Sequence, residues 1–94
     1  MSYRIWKYPL EITDRQHITL PAGMQCLSVL VARPYEDTPN FKRLFLYAFV
    51  DPDQPTITIT IRIIGTGDSI DAAPAGEFLG TVVMPPHVWH VFKE

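Results

Sequence analysis

Gly65-Thr66-Gly67 directly follows a run of β-branched residues, with Arg62 just upstream. In such a turn, backbone amides can cradle an anion while a guanidinium holds its charge. The dinucleotide-binding fingerprint needs a third glycine and then a helix. Here position 70 is Ile70, Pro74 blocks a long helix, and Asp68 and Asp71 would repel an anion unless a metal intervened. The competing reading is a flexible strand exit. Gly65, Thr66, Gly67 and Arg62 are thus candidates to hold a small anionic ligand such as a nucleotide, in a pocket between subunits where Arg33 could supply the cation instead. That reading needs Arg62 exposed on the threonine face of its strand; a buried or ion-paired Arg62 weakens it.

The other reactive side chains form no recognisable machinery. His87 and His90 are three apart, whereas ligands on one face of a strand stand two apart. They read as structural histidines, and no metal site is expected. Cys26 sits early in a strand between Gln25 and Leu27, with no adjacent base, so it reads as a packing thiol and not a nucleophile. Asp51, Asp53, Asp68 and Asp71 would line one rim if their loops converged, yet Asp is favoured in turns without any catalytic role. No nucleophile, base and stabiliser can be assembled, so the expectation is a protein that is not an enzyme and carries no cofactor.

The aromatic residues are more suggestive. Trp6, Tyr8, Tyr47 and Trp89 suit a core, but Tyr35 and Phe41 lie in or beside a polar loop with Arg33, Lys42 and Arg43 close by. Aromatics and arginines on such a loop form a reasonable recognition element. Arg33, Tyr35, Phe41 and Arg43 are therefore candidates for contact with a protein partner.

The elements that must position these groups are strands. Thr56-Ile57-Thr58-Ile59-Thr60-Ile61-Arg62-Ile63 alternates at a period of two, the pattern of a half-buried strand. Nine prolines and five glycines cut the chain into short pieces, leaving no room for a long amphipathic helix. Seven strands are predicted: Tyr3–Tyr8, Gln16–Leu20, Met24–Ala32, Lys42–Val50, Thr56–Ile64, Glu77–Met84 with a kink at Gly80, and Val88–Lys93. The turn Asp51-Pro52-Asp53-Gln54-Pro55 suggests a hairpin between the fourth and fifth. The fourth strand is apolar on both faces, which predicts a central position in a sheet or a face that forms an interface. Loops are expected over residues 33–41 and 65–76. The fold class predicted is all-β: one small domain spanning 1–94, a β-sandwich or barrel of about seven mostly antiparallel strands.

With 94 residues, 47% hydrophobic and 19% charged, the chain can bury one core, and association into a homo-oligomer would help so small a domain. A net charge of −2 argues against general nucleic-acid binding. The single cysteine points to a reducing compartment, and neither a signal-peptide core nor a membrane-length apolar run is evident. The expectation is a soluble cytoplasmic protein with no membrane contact.

Ile5-Trp6-Lys7-Tyr8, Leu20-Pro21-Ala22-Gly23, Leu46-Tyr47-Ala48-Phe49-Val50-Asp51-Pro52, Arg62-Ile63-Ile64-Gly65-Thr66-Gly67, Phe78-Leu79-Gly80-Thr81-Val82 and Trp89-His90-Val91-Phe92 together resemble a family of small uncharacterised proteins of phages and prophages. The resemblance covers nearly the whole chain and transfers no residue role. Members join the third and fourth strands by a shorter turn, so a property shared by the family should not depend on residues 33–42. What the resemblance implies is a phage or prophage accessory product acting in the host cytoplasm. Three classes are then in play: a non-catalytic binding module contacting a host protein, for example a defence component; an oligomeric small-molecule or nucleotide sequesterer; and a minor virion structural protein.

Overall fold

The computed structural model describes residues 2–31 and 44–94. Seven strands run through them: β1 (Arg4–Leu10), β2 (Arg15–Pro21), β3 (Gln25–Val31), β4 (Leu44–Val50), β5 (Thr56–Gly65), β6 (Glu77–Met84) and β7 (His87–Lys93). All seven expected strands are present, with most ends shifted by a residue or two; the expected third-strand end at Ala32, the fourth-strand start at Lys42 and the loop between them lie outside the described residues. Every pairing is antiparallel, and the strands divide into a three-stranded sheet, β1-β4-β3, and a four-stranded sheet, β2-β5-β7-β6. The protein is an all-β, sandwich-like fold, and among the described residues no helix is long and apolar enough to cross a membrane.

Alternation decides which side chains meet between the sheets. Successive residues of a strand point to opposite faces, and directly opposed residues on neighbouring strands share one. Leu44, Leu46, Ala48 and Val50 of β4 are buried in one core with Ile59, Ile61 and Ile63 of β5, and Leu10, Leu20, Val29, Val82, Met84 and Val91 complete it. The isoleucine ladder thus faces inward as its period predicts. Ile57, at the start of the strand, remains 40% exposed. The expected kink in β6 is a register shift between Phe78 and Gly80, and β3 carries a second one between Cys26 and Ser28.

The expected hairpin between β4 and β5 is not formed. β4 pairs with β1 and β3, and β5 pairs with β2 and β7, so the connecting turn carries the chain from one sheet to the other. Two physical causes act together. Both strands have an apolar stripe that must be buried, and placing them in opposite sheets lets the stripes face each other. Pro52 and Pro55 also lack the N–H that a closing ladder would use. The turn is held by itself instead: the buried Asp51 carboxylate accepts from the Asp53 amide at 3.1 Å, and the Asp51 carbonyl accepts from the Gln54 amide at 3.1 Å. The Pro55 carbonyl accepts from the Ala22 amide at 2.8 Å, tying this crossover to the β2–β3 turn.

β4 lies in the middle of its sheet, one of the two positions its doubly apolar sequence implies. Pro9 sits in β1, an edge strand, where a residue without an N–H is tolerated.

Ile61 is wholly buried whereas Ile57 is exposed at the margin. Ile61→Ala should cost about 2–5 kcal/mol in denaturant unfolding, and Ile57→Ala less than about 1 kcal/mol. Equal costs would mean the inward face is misassigned.

Candidate functional site

Arg62 points to the outer face of the four-stranded sheet, where it stands opposite Arg15 on β2 and Phe92 on β7. It is nevertheless only 1% exposed. Its Nε donates to Asp14 Oδ1 at 3.2 Å and its Nη1 to the Ala72 carbonyl at 3.1 Å. Asp71 Oδ1 lies 3.5 Å from Nη2, and Glu94 Oε2 lies 3.9 Å from Nη1. Glu94 also accepts from Arg15 Nε at 3.4 Å and from the Ala75 amide at 3.4 Å. Two arginines directly across a ladder would repel each other. Here Asp14, Asp71 and Glu94 surround them, and the segment between β5 and β6 is drawn down over the guanidinium. Arg62 is a staple for that segment and not a free cation, which weakens the reading in which it faces an anionic ligand.

The Gly65-Thr66-Gly67 turn is likewise occupied. The Gly65 amide donates to Asp68 Oδ2 at 2.9 Å, the Thr66 amide to the Val88 carbonyl at 3.0 Å, and the Asp68 amide to the Gly65 carbonyl at 3.1 Å. The turn therefore binds a carboxylate of its own chain. Gly67 has φ of 87°, a backbone conformation glycine supplies readily. A Cβ on Gly65 would lie 2.7 Å from Asp68 Oδ2 and 3.0 Å from the Trp89 ring, so this glycine is there for close approach. The Thr66 hydroxyl pairs with His90 Nε2 at 2.7 Å, and the Thr81 hydroxyl with His90 Nδ1 at 3.0 Å. Both ring nitrogens of His90 are thus engaged by threonine hydroxyls.

Beside the staple lies an open cleft of about 630 Å³, lined by Ile12, Asp14, Ile64, Asp68, Ile70 and Trp89 among others. Asp68 and Asp71 do line one rim together, joined by Asp14, whereas Asp51 and Asp53 lie elsewhere. With Arg62 already neutralised, the cleft presents carboxylates, and an anion would meet repulsion there. Among the described residues no three His, Cys, Asp or Glu side chains are placed to hold a metal. Cys26 is half-buried, and burial pushes its thiol up, with Glu77 adding to the shift and Lys93 opposing it. Less thiolate at neutral pH is the opposite of what a nucleophile needs.

The other prominent surface is the outer face of β1-β4-β3. Ile5, Phe49 and Gln25 lie side by side across the three strands, as do Lys7, Tyr47 and Ser28. Tyr3 stacks on Phe49 at 5.2 Å between centroids, and the Lys7 ammonium sits 4.6 Å above the Phe45 ring. The register shift in β3 sets Leu27 beside Ser28 opposite Tyr47. Tyr3 is 56% exposed, Ile5 60%, Leu27 45% and Phe49 38%, so this face offers aromatic and aliphatic area to solvent. β4 is thus central in its sheet, with an apolar outward face.

Of the candidates for partner contact, Arg33, Tyr35, Phe41 and Arg43 lie outside the described residues. The structure brings Arg62, Gly65, Thr66 and Gly67 into one region, but commits Arg62 and the amides of Gly65 and Thr66 to internal bonds. Sequence reasoning missed Asp14 and Glu94, which meet Arg62 only through the β2–β5 pairing and the chain end. It also missed the exposed row of Tyr3, Ile5 and Phe49, whose signal was the outward alternation of β4.

Fold and surface together define a small β-sandwich-like module whose open features are a cleft and an apolar sheet face. The chain belongs to the family described as a domain of unknown function, DUF7352, whose model matches residues 1–94. No curated protein and no solved structure gives a significant match.

Arg62→Met keeps the aliphatic stem but removes the staple's charge. The partners Asp14 and Asp71 are largely solvent-exposed and can rehydrate, so the loss should be about 1.5–3 kcal/mol and not that of a stranded buried charge. Asp71→Asn should cost less than about 1 kcal/mol. Chemical denaturation of the two variants checks the ranking; the reverse order would contradict the staple.

Proposed function

We propose that this protein is a non-catalytic binding module that acts by contacting another protein through the outer face of β1-β4-β3. The observation that carries the reading is the exposure of Tyr3, Ile5, Leu27 and Phe49 on one sheet face whose one charged side chain among the described residues, Lys7, is laid over Phe45. Monomeric proteins rarely expose contiguous apolar patches beyond a few hundred Å², and those that do usually use them for contact. Aromatic residues are enriched at the centres of such contacts and charges are depleted. The resemblance to phage and prophage proteins supports an accessory role in a host cell, where a component of host defence is an example of such a partner. The nucleotide-sequestering alternative lacks a free cation at Arg62 and has carboxylates around the cleft.

A photoreactive residue at position 5 should form a covalent adduct with a protein in producing cells. The same residue at position 58, on the exposed threonine stripe of β5, should not. Adducts at 58 and none at 5 would contradict the reading.

A further inference from the structure

We propose that the protein filling the outer face of β1-β4-β3 is a second copy of this chain, packed face to face about a two-fold axis. This rests on the reading of that face as a protein-contact surface and names its occupant.

Charge is the first argument. Opposite-charge partners recognise each other through complementary fields, but among the described residues this face has almost no field to complement. Two of its rows are Ile5, Phe49 and Gln25, then Lys7, Tyr47 and Ser28, with Tyr3 and Leu27 beside them. The Lys7 ammonium is already placed over the Phe45 ring at 4.6 Å. A surface that is apolar and nearly uncharged meets no repulsion from its own image. A two-fold axis running along β4 would set the β1 side of one copy over the β3 side of the other. The two Lys7 ammonium groups would then stand apart, each facing the uncharged row of Gln25 and Ser28. Isologous contacts of this type need only one self-complementary patch.

Geometry is the second. Sheets pack face to face with their strands nearly aligned, at about −30°, because each carries the same twist. A copy of this sheet has the twist that such packing requires. The centre of the four-stranded sheet is covered by the segment that Arg62 holds through Asp71 and Ala72, and the exposed Phe78 and Val83 lie on its edge strand β6.

Area sets the strength. Three strands about 4.8 Å apart and seven residues long at about 3.4 Å each give a footprint of roughly 340 Å². That is the size of a functional patch on a small protein but below the roughly 800 Å² per partner of a standard stable complex. The dimer should therefore be concentration-dependent, with a Kd on the order of 10 µM or weaker.

Sedimentation velocity over a concentration series from about 5 to 500 µM tests this. The expected result is a reversible monomer–dimer shift that Ile5→Asp weakens by about tenfold or more and Thr58→Asp leaves unchanged. Both positions are exposed, and thermal unfolding of each variant confirms that it is folded. A chain that is monomeric throughout, or a dimer that both variants retain, overturns the inference. A monomer whose position 5 nonetheless crosslinks to a different protein overturns the second-copy occupant and leaves the protein-contact reading standing. A monomer with no adduct at position 5 fells both.

Discussion

The structure depends on one seam between the sheets, a single core to which β5 contributes Ile59, Ile61 and Ile63 and β4 contributes Leu44, Leu46, Ala48 and Val50. Two interior strands, adjacent in sequence, are placed in opposite sheets so that both stripes are buried in that core. The consequences spread outward. The short connection between them must cross from sheet to sheet, so Asp51 turns its carboxylate inward onto its own loop. With the inner faces spent on this seam, each sheet has an outer face to resolve in some other way.

The two outer faces are resolved differently. On the four-stranded sheet, Arg62 lies among isoleucines and threonines on a strand that would otherwise present a guanidinium to water. Asp14, Asp71 and Glu94 neutralise it, and the Ala72 carbonyl brings the following segment across it. The carboxylates that serve the staple also give the neighbouring cleft its sign. On the three-stranded sheet no such strap is found among the described residues, and Tyr3, Ile5, Leu27 and Phe49 reach solvent. Among the described residues, one outer face is thus covered at its centre and the other is open.

Much of this was legible from residue order. The strands were, because β-branched alternation and proline spacing are local signals, and so was the inward face of β5. The double apolarity of β4 pointed correctly to a central strand. The strand partnership was not legible: a turn rich in Asp and Pro can close a hairpin or cross between sheets, and only the competition of two stripes for one core decides. The burial of Arg62 was not legible for a related reason. Alternation placed it outward, which is right, but its burial comes from Asp14, Asp71 and Glu94, which are 48, 9 and 32 residues away in sequence. A glycine-bounded turn after a strand suggested a cradle for a foreign anion, and the anion it holds is Asp68, three residues along.

The central claim is that the open face of β1-β4-β3 is where this protein makes contact. The most direct measurement compares methyl-resolved NMR spectra of the isotope-labelled chain in buffer and in an extract of the cells that produce it. The account predicts shifts or broadening at Ile5 and Leu27 in the extract, with Ile12, Ile57 and Ile70 unmoved. Changes confined to Ile12 and Ile70, at the cleft, or no change in the extract, would contradict it.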